Sequence, residues 1–379
     1  MKELSESRIL IVDDVPANVD VLVQALRGEY QISVAIDGVT GLRTAEKLLP
    51  DLVLLDIVMP GIDGYEVCRR LRASPRTREI PVMFLSSLED VQDKTKGFEV
   101  GGNDYLAKPF AILEVKARVR SLLRAKAYVD GVKEKIAYEL RIAREIQMGI
   151  LPPDISAATA GTGLEAHAVL HPAQEVGGDL YEALPMPGGN LLAVMGDVSG
   201  KGIPAALFMA VTMTLVRAMA PDSRGPEEIL RRVNDALASH NPHTMFVTLM
   251  CALYDVRTGQ LEYASAGHPP PVLIREGSAQ FLPVKPGMMA GIMAGLSAPS
   301  QSVQLQSGDL VVFYTDGVTE AFNAAGDLYG ESKLLEELAG QSGHTAVATT
   351  DALLRSVRAH AGECPQSDDI AMLVLRRLA

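Results

Sequence analysis

The sequence predicts two domains of different fold class, an α/β domain and an α+β domain, joined by a helical linker. Three observations predict this division. Short apolar runs alternate with amphipathic segments over residues 8–119, residues 112–150 have the apolar spacing of one long helix, and residues 154–379 mix strand-like runs with many Gly and Pro turns. A length of 379 residues also suits two or three domains. We therefore expect domains at residues 1–123 and 154–379, with the linker at 124–153.

The first domain has four short apolar runs that end in polar residues or in Gly and Pro. They are RILIVDD (8–14), DLVLLDIVMP (51–60), IPVMFLSS (80–87) and NDYLAKP (103–109). Helix-like segments lie between these runs. Such alternation predicts a parallel sheet with helices on both faces. In a sheet of this kind, the ligand site lies at the carboxyl ends of the strands.

Polar side chains follow these runs at the predicted sheet edge. Asp13 and Asp14 follow the first run, and Asp56 follows DLVLL. Three carboxylates repel one another unless a cation lies among them, and hard oxygen ligands suit Mg²⁺. Ser86 and Lys108 end later runs and offer a hydroxyl and an ammonium for a phosphoryl group, which Asp56 would accept as nucleophile. Each aspartate alone is typical of a turn or cap, but their joint spacing favours a site.

Four motifs carry a resemblance to a known family. LIVDD, LLDIVMPGIDGYE, FLSS and NDYLAKPF occur in this order within residues 8–123, which resemble the receiver domain of two-component response regulators. The resemblance implies a flavodoxin-like, doubly wound fold. It also implies that a histidine kinase or another phosphodonor phosphorylates Asp56. The implied ligands of a receiver Mg²⁺ are Asp13, Asp14, Asp56 and the main chain of Val58.

The same resemblance assigns the switch residues of the receiver domain. It implies that Ser86 and Lys108 hold the phosphoryl group and that Tyr105 is the switch aromatic residue. It also implies a cis bond between Lys108 and Pro109, which only an X-Pro bond adopts readily.

Residues 112–150 form the pattern of one long helix. Apolar residues recur there mostly three or four positions apart, with one longer step around Lys126 and an interruption at Gly131. The helix should end at Leu151-Pro152-Pro153, because proline cannot continue it. Two interpretations stay open. The helix packs on its own domain, or it forms a coiled coil that makes the protein a homodimer.

Four acidic turns stand out in the second domain: EVGGD (175–179), GDVSGKG (196–202), YTDGVTE (314–320) and SDD (367–369). Asp197 and Asp316 end apolar runs, Asp368 precedes one, and Asp179 follows two glycines. Aspartates on separate strand ends can converge on a pair of divalent metals that activates water. Ligand sets made of oxygen alone favour Mg²⁺ or Mn²⁺ over zinc.

Two other interpretations of these turns fit less well. GDVSGKG is similar to a phosphate loop, but a Walker A motif needs four residues before Gly-Lys and then Ser or Thr. Here three residues intervene and Gly202 follows the lysine. GGDLY is similar to the GGDEF motif of diguanylate cyclases but lacks Glu-Phe. Plain turn aspartates would explain any one of the four, but not all of them together.

A second resemblance covers residues 139–379. The stretches ELRIAREIQMGILPP, EVGGDLYEAL, GDVSGKGIPAALFMA, MFVTLMCALYDVRTGQLEYASAGHPPP, SGDLVVFYTDGVTEAFN and SDDIAMLVL resemble the bacterial PP2C-like serine/threonine phosphatases of the SpoIIE and RsbU type. This resemblance implies an αββα sandwich and two Mn²⁺ or Mg²⁺ ions. The usual substrate in that family is a phosphorylated STAS-domain anti-sigma factor antagonist.

The resemblance also assigns the ligands of the two ions. It implies that Asp197 bridges both metals, with the main-chain oxygen of Val198 assisting, and that Asp179 serves the second metal. The residues implied for the first metal are Asp316 and Asp368, with Asp369 as a neighbour. We expect Asp179, Asp197, Asp316 and Asp368 to be the catalytic set.

The charge balance excludes several classes of partner. With Lys+Arg 35 against Asp+Glu 47, the formal net charge is −12, which gives no attraction to nucleic acid or to an anionic membrane. The longest apolar run, Gly202 to Val216, is shorter than a membrane span, and the N-terminus has no signal-peptide pattern. We expect a cytoplasmic protein. The acidic balance also disfavours a DNA-binding response regulator.

These predictions combine into a hypothesis of control. Phosphorylation of Asp56 draws in Ser86 and turns Tyr105, and the linker helix transmits the change to the phosphatase. It acts by dimerising or by moving the loops of Asp179 and Asp197. The alternative is a catalytically inactive PP2C-like adaptor that binds a regulatory partner in a phosphorylation-dependent way.

Overall fold

A computed structural model describes residues 4–86 and 91–378 of the chain. The chain divides into two compact units, Met1–Tyr138 and Glu139–Ala379. Each unit has its own sheets and its own core. The division falls inside the predicted linker, within one continuous helix. The domain ends expected at residues 123 and 153 stay predictions.

The first unit contains one parallel sheet of five strands in the order β2-β1-β3-β4-β5. The strands are β1 (Arg8–Val12), β2 (Gln31–Ala35), β3 (Leu52–Asp56), β4 (Val82–Ser86) and β5 (Asp104–Ala107). Strands β3 and β4 are buried along their whole length, because their apolar side chains are covered on both faces. The order reverses between β1 and β3, which opens a crevice at their carboxyl ends.

Helices connect the strands of the first unit. They are α1 (Pro16–Leu26), α2 (Gly38–Leu48), α3 (Gly64–Ala73), α4 (Val91–Glu99) and α5 (Ile112–Ile150). Along β1, Leu10 and Val12 belong to one core cluster, and Ile9 and Ile11 to another. Side chains on a strand alternate between faces, so the sheet has a core on each side. The predicted doubly wound α/β fold is confirmed.

Helix α5 is present over the residues that the sequence predicts. Its first turns pack on the sheet of the first unit, where Val115 and Val119 are fully buried. Apolar residues further along are exposed, with 49% of Val129 and 51% of Ile136 accessible. The interpretation that the helix packs on its own domain therefore describes its beginning, while its middle has an apolar surface available for another helix.

The second unit contains two antiparallel sheets of five strands. One has the order β13-β10-β9-β8-β7 and the other β12-β11-β14-β15-β6. The strands are β6 (Leu164–His171), β7 (Leu180–Pro185), β8 (Leu191–Val198), β9 (Val247–Asp255), β10 (Gln260–Ala266), β11 (Val272–Arg275), β12 (Ser278–Phe281), β13 (Gln301–Gln304), β14 (Leu310–Tyr314) and β15 (Ile370–Arg377).

Helices cover the outer face of each sheet in the second unit. They are α6 (Ile203–Met219), α7 (Pro226–Ser239), α8 (Asp316–Thr319), α9 (Gly330–Ala339) and α10 (Ala346–Ala361). Helices α6 and α7 contact the sheet of β7 to β10, and α9 and α10 contact the other sheet. Along β15, Leu373 and Leu375 face the core between the sheets, whereas Met372 and Val374 face α9 and α10. The predicted αββα sandwich is confirmed.

Helix α6 is longer than the apolar run that the sequence analysis measures. Together with the turn after it, the segment Ile203–Asp222 has 20 residues and is apolar enough to cross a membrane by length and composition. The expectation that this run is too short was therefore wrong. A core helix passes the same test, and Met209 and Met213 of α6 are indeed buried in the core of the second unit. That the protein has no membrane partner stays a prediction.

Candidate functional site

Three carboxylates meet at the carboxyl ends of neighbouring strands in the first unit. Asp13 and Asp14 follow β1, and Asp56 is the last residue of β3. Each offers an oxygen, and these oxygens all lie within 4.8 Å of one another. Asp13 and Asp56 are buried. Because β1 and β3 are adjacent in the sheet, the fold brings together the three acids that the sequence predicts for Mg²⁺.

Lys108 supplies positive charge to this receiver cluster. Its Nζ lies 2.9 Å from Oδ2 of Asp13 and 2.9 Å from Oδ2 of Asp56. Burial raises the pKa of Asp56 above its ordinary value, and Lys108 opposes this shift while Asp13 adds to it. The bond from Lys108 to Pro109 is cis, as the resemblance implies.

Ser86 and Tyr105 lie on the two strands beyond the carboxylates. Ser86 ends β4, is buried, and accepts the main-chain N–H of Lys108 through its carbonyl oxygen. The ring of Tyr105 packs against Phe84 and Phe98, with centroid distances of 5.3 and 5.6 Å. Its hydroxyl lies so close to Gly97 of α4 that a Cβ there would collide with it. Tyr105 is thus packed between the sheet and α4.

The donor set of the receiver cluster fits Mg²⁺. Oδ1 of Asp14 is buried and, among the described residues, has no hydrogen-bond partner. A free carboxylate oxygen beside two other acids is what a hard divalent cation requires. Val58 lies in the loop two residues after Asp56, with 62% of its surface exposed. Its role as a main-chain ligand stays a prediction.

Four further aspartates come from separate segments of the second unit. Asp197 lies on β8, Asp316 begins α8, Asp179 precedes β7, and Asp368 precedes β15. Asp197 interacts electrostatically with all three of the others. The structure therefore brings the predicted catalytic set together around Asp197. We refer to these four residues as the phosphatase cluster.

Burial and mutual repulsion disfavour the ionised forms of this cluster. Burial raises the pKa of Asp179 well above its ordinary value, and repulsion from Asp197 adds to the shift. Burial, followed by repulsion from Asp316 and Asp368, raises the pKa of Asp197 to about 7. Asp179 and Asp197 thus each disfavour the ionised form of the other or of its neighbours.

A lysine reaches the outer side of the phosphatase cluster. Nζ of Lys201 lies 3.0 Å from Oδ2 of Asp368, and it also donates to the carbonyl oxygen of Ser367. The other carboxylate oxygen of Asp368 accepts the main-chain N–H of Asp369. Burial raises the pKa of Asp316, and the charge of Lys201 opposes that shift. Lys201 is not among the site residues that the sequence predicts, although it lies in GDVSGKG.

Asp369 holds the loop that precedes β7. Its Oδ1 accepts the main-chain N–H of Ala173 at 2.8 Å, and its Oδ2 accepts that of Gly178 at 2.7 Å. A Cβ on Gly177 would collide with the Asp369 carboxylate, and a Cβ on Gly178 would lie 2.7 Å from the main-chain oxygen of Val198. Only glycines allow this approach, so the GG pair places the loop directly against Val198.

Two residues that the sequence analysis does not single out also position Asp179. The hydroxyl of Thr315 donates to Oδ2 of Asp179 at 2.7 Å. Gln147, near the end of α5, is buried and pairs with the main chain of Gly177: Nε2 donates to its carbonyl oxygen at 2.6 Å and Oε1 accepts its N–H at 3.2 Å. In the sequence, only their positions could have indicated these two residues: Thr315 directly precedes Asp316, and Gln147 lies in the stretch IQMGILPP.

The phosphatase cluster is more open than the receiver cluster. Among the described residues, its carboxylate oxygens do not form any group of three within 4.8 Å. Two metals held about 3.5–4 Å apart do not need such a trio, because each ion takes its own subset of ligands. Buried acids with raised pKa values and oxygen as the donor atom fit Mg²⁺ or Mn²⁺. The residues present therefore fit a divalent pair.

Comparison with known proteins supports both halves of this description. Residues 9–120 match the family model of the response regulator receiver domain. Residues 187–378, just over half of the chain, match the family model of stage II sporulation protein E (SpoIIE). The chain belongs to the SpoIIE family. The SpoIIE match begins later than the predicted resemblance, so Gln147 and Asp179 lie outside it.

Three relatives illustrate the range of similarity. The response regulator PleD of Caulobacter vibrioides is 46% identical over 132 residues, which are 35% of this chain and 29% of PleD. The chain thus spans less than a third of that relative. The SiaA-PP2C domain of Pseudomonas aeruginosa has a TM-score of 0.58 and 26% identity, covering 65% of this chain and 98% of that one. The RsbU and RsbW domains of Rv1364c from Mycobacterium tuberculosis reach 0.50 and 28%, covering 57% and 60%.

This SpoIIE-family chain therefore combines a receiver domain with a PP2C-type domain. This domain arrangement is typical of a response regulator whose output domain is a phosphatase. Both domain types generally use divalent metals, and each unit presents acids that suit them.

Proposed function

We propose that the PP2C-type domain is an active, metal-dependent serine/threonine phosphatase and that phosphorylation of Asp56 controls it. The observation that carries the proposal is the convergence of Asp179, Asp316 and Asp368 on Asp197. Asp179 is buried and the other three carboxylates are partly buried. Such carboxylates from separate segments repel one another, and folding does not favour such a cluster unless cations bind it. An inactive adaptor would have no use for it.

In the receiver domain, Asp56 accepts the phosphoryl group. A carboxylate oxygen of Asp56 attacks the phosphorus of a kinase's phosphohistidine or of another phosphodonor: the new O–P bond forms as the bond from phosphorus to the donor atom breaks, and that atom leaves with its electron pair. Lys108 is paired with Asp56 and offsets the added negative charge. Ser86 lies on the adjacent strand β4 and Tyr105 on the next strand, β5, where they can respond to that charge. The proposed ligands of Mg²⁺ are Asp13, Asp14, Asp56 and the main chain of Val58.

In the phosphatase domain, the acids hold and orient the ions. When bound, two Mn²⁺ or Mg²⁺ ions supply Lewis acidity and activate water for attack on phosphoserine or phosphothreonine. Asp197 would hold both ions, with the main-chain oxygen of Val198 assisting, and Asp179 would hold the second. The residues assigned to the first ion are Asp316 and Asp368. Asp369 already accepts two main-chain N–H groups, so its main role is to hold the loop before β7.

The proposed substrate is a phosphorylated STAS-domain anti-sigma factor antagonist. Support comes from the similarity to the RsbU domain of Rv1364c, in a chain that also carries an RsbW domain. Hydrolysis consumes one water and releases inorganic phosphate and the free hydroxyl of the substrate. We place this dephosphorylation in the cytoplasm, together with the phosphodonor that we propose for Asp56.

The end of α5 provides a physical connection to the phosphatase cluster. Gln147 grips Gly177, two residues before Asp179, and Arg217 of α6 donates both to Glu182 and to the carbonyl oxygen of Ile150. A rotation or shift of α5 would therefore move the loop that carries Asp179. The exposed apolar residues in the middle of α5 would pair with a second copy in a homodimer.

The decisive experiment measures release of phosphate from a phosphorylated STAS-domain protein with purified chain and Mn²⁺. We expect hydrolysis that stops on adding EDTA and is lost in Asp197→Asn. Treatment with beryllofluoride, which occupies Asp56, should change the rate. If the phosphatase is active but its rate does not change when beryllofluoride binds, regulation by Asp56 is contradicted. If the chain folds and binds metal but does not hydrolyse the substrate, the inactive PP2C-like adaptor is favoured.

A further inference from the structure

Lys201 lies between the phosphatase cluster and an apolar groove. It is the third residue after Val198, where β8 ends, and it precedes α6 by two positions. Gly200 and Gly202, on either side, have φ of +87° and +74°, so the chain turns sharply there. The ammonium is accessible, with 44% of the side chain exposed. A bound protein substrate would therefore be able to reach it.

The contacts of Lys201 with described residues orient its ammonium group and use two of its three protons. An ammonium has three N–H donors. Among the described residues, two of its partners are Oδ2 of Asp368 and the carbonyl oxygen of Ser367. Of the ion pairs between described residues, this is also the one that involves the phosphatase cluster. Lys201 thus brings the nearest fixed positive charge to a strongly negative site.

The groove on the other side of Lys201 is apolar and large enough for a side chain. Its volume is about 700 Å³. Ile203, Leu207 and Val211 line it from one face of α6, with more than half of each residue exposed. Phe208 also lines it, together with Met245 just before β9. His243 lines the groove too, and Lys201 is the one Lys, Arg, Asp or Glu among its lining residues.

We propose that Lys201 binds the phosphate of the substrate and that the groove binds an apolar residue next to the phosphorylated Ser or Thr. The proposal rests on the proposed phosphatase function and defines its substrate class. Charge complementarity carries it. The phosphoryl group is negatively charged, so a cation at the mouth of the acidic site favours its binding. Beside that cation the walls of the groove are apolar, which suits an Ile or Leu next to the phosphorylated residue.

Binding can be tested without turnover. The probe is a peptide that carries the non-hydrolysable phosphonate analogue of phosphoserine flanked by Ile, compared with the same peptide flanked by Ser. We expect fluorescence anisotropy in Mn²⁺ to show at least tenfold tighter binding of the Ile peptide. Leu207→Ser should remove that difference. Val347→Ser, at an exposed apolar position of α10, should preserve it.

Lys201 is tested with Lys201→Met and Lys201→Arg. We expect Lys201→Met to weaken binding of both peptides about tenfold, because a charge-assisted hydrogen bond to phosphate is lost. Lys201→Arg should retain most of the affinity. Calorimetry should give the same Mn²⁺ affinity in all three proteins. A loss of Mn²⁺ affinity equal to the loss of peptide affinity would show that Lys201 only supports Asp368 and would overturn its assignment.

Other occupants of the groove give distinct results. If a second copy covers it, Leu207→Ser will change the sedimentation coefficient and leave peptide binding unaltered. If lipid covers it, the wild-type chain will float with neutral vesicles and Leu207→Ser will not. Either result overturns the groove assignment. Tight, Lys201-dependent peptide binding without any hydrolysis would instead refute the phosphatase function alone.

Discussion

Replacement of Asp197 by Asn should make the metal-free protein more stable while abolishing activity. Asp197 is the centre of the phosphatase cluster and is repelled by Asp316 and Asp368. Asn has nearly the same shape, carries no charge and keeps an amide that can donate to Asp179. The substitution therefore removes the repulsion without creating a cavity. It should also remove most of the gain in stability that Mn²⁺ gives the wild-type chain.

The magnitude follows from the pKa of Asp197, which is about 7 in the folded chain against an ordinary 3.8. Between these values the folded chain keeps a proton that the unfolded chain has lost. The free energy of unfolding therefore falls as the pH rises through this window and stays reduced above it. A shift of about three units at about 1.4 kcal/mol each gives an upper limit of roughly 4 kcal/mol. Because the titrations of Asp179 and Asp197 are coupled, we expect about half of this limit, roughly 2 kcal/mol.

The assay is thermal unfolding of the second unit in EDTA at pH 5 and pH 8. For a domain of this size, about 2 kcal/mol corresponds to a rise in Tm of roughly 4–8 °C for Asp197→Asn at pH 8. The advantage should be smaller at pH 5, where the wild-type carboxyl group is still protonated. Asp351→Asn, on the exposed face of α10, is the control and should leave Tm unchanged. An Asn variant that is no more stable at pH 8, or whose advantage is independent of pH, would refute the reasoning.

Three further substitutions, one of them paired with a control variant, test the two clusters and the helix. Gln147→Met removes both hydrogen bonds to Gly177, so we expect Mn²⁺ affinity to fall about tenfold by calorimetry. Asn234→Leu, which removes a similar clamp on the main chain of another loop, should lower Tm only; equal Mn²⁺ affinity in both variants would contradict the role of Gln147. Asp14→Ala should abolish calorimetric binding of Mg²⁺ by the receiver domain, and persistent binding would exclude that ligand. Ile136→Glu should convert a dimeric chain to monomer in sedimentation velocity, and a wild-type chain that is already monomeric at micromolar concentration would argue against pairing through α5.

The elements that the sequence analysis misses are mostly edge strands. Gln31–Ala35 (β2), Ser278–Phe281 (β12) and Gln301–Gln304 (β13) each end a sheet, and each contains at least two polar residues. A strand with one neighbour and a partly wet surface needs no continuous apolar run. The continuous apolar runs that predicted β3 and β4 do correspond to strands that are buried on both faces. The helix α5 was also predictable, because its apolar residues recur every three or four positions over many turns.

The two sites differ in how far sequence alone could predict them. In the receiver domain the three acids, Ser86 and Lys108 lie at or just after the carboxyl ends of parallel strands, and the topology of such sheets brings these ends to one edge. No comparable rule applies to an antiparallel sandwich. Thr315 meets Asp179 across 136 positions of chain, and Lys201 meets Ser367 across 166. Such pairs follow from the packing of two sheets, which residue spacing does not contain.

The position of Asp179 depends on residues that are not themselves ligands. Gln147 and Asp369 hold the main chain of the loop before it, and Thr315 holds its carboxyl group. A catalytic site that needed only to be rigid would gain nothing from a clamp at the end of a long helix. Because Gln147 belongs to the helix that begins in the receiver domain, the position of Asp179, our proposed metal ligand, is tied to that helix. The control that we propose would then require no new contact, only a shift of α5 that tightens or loosens this pair of hydrogen bonds.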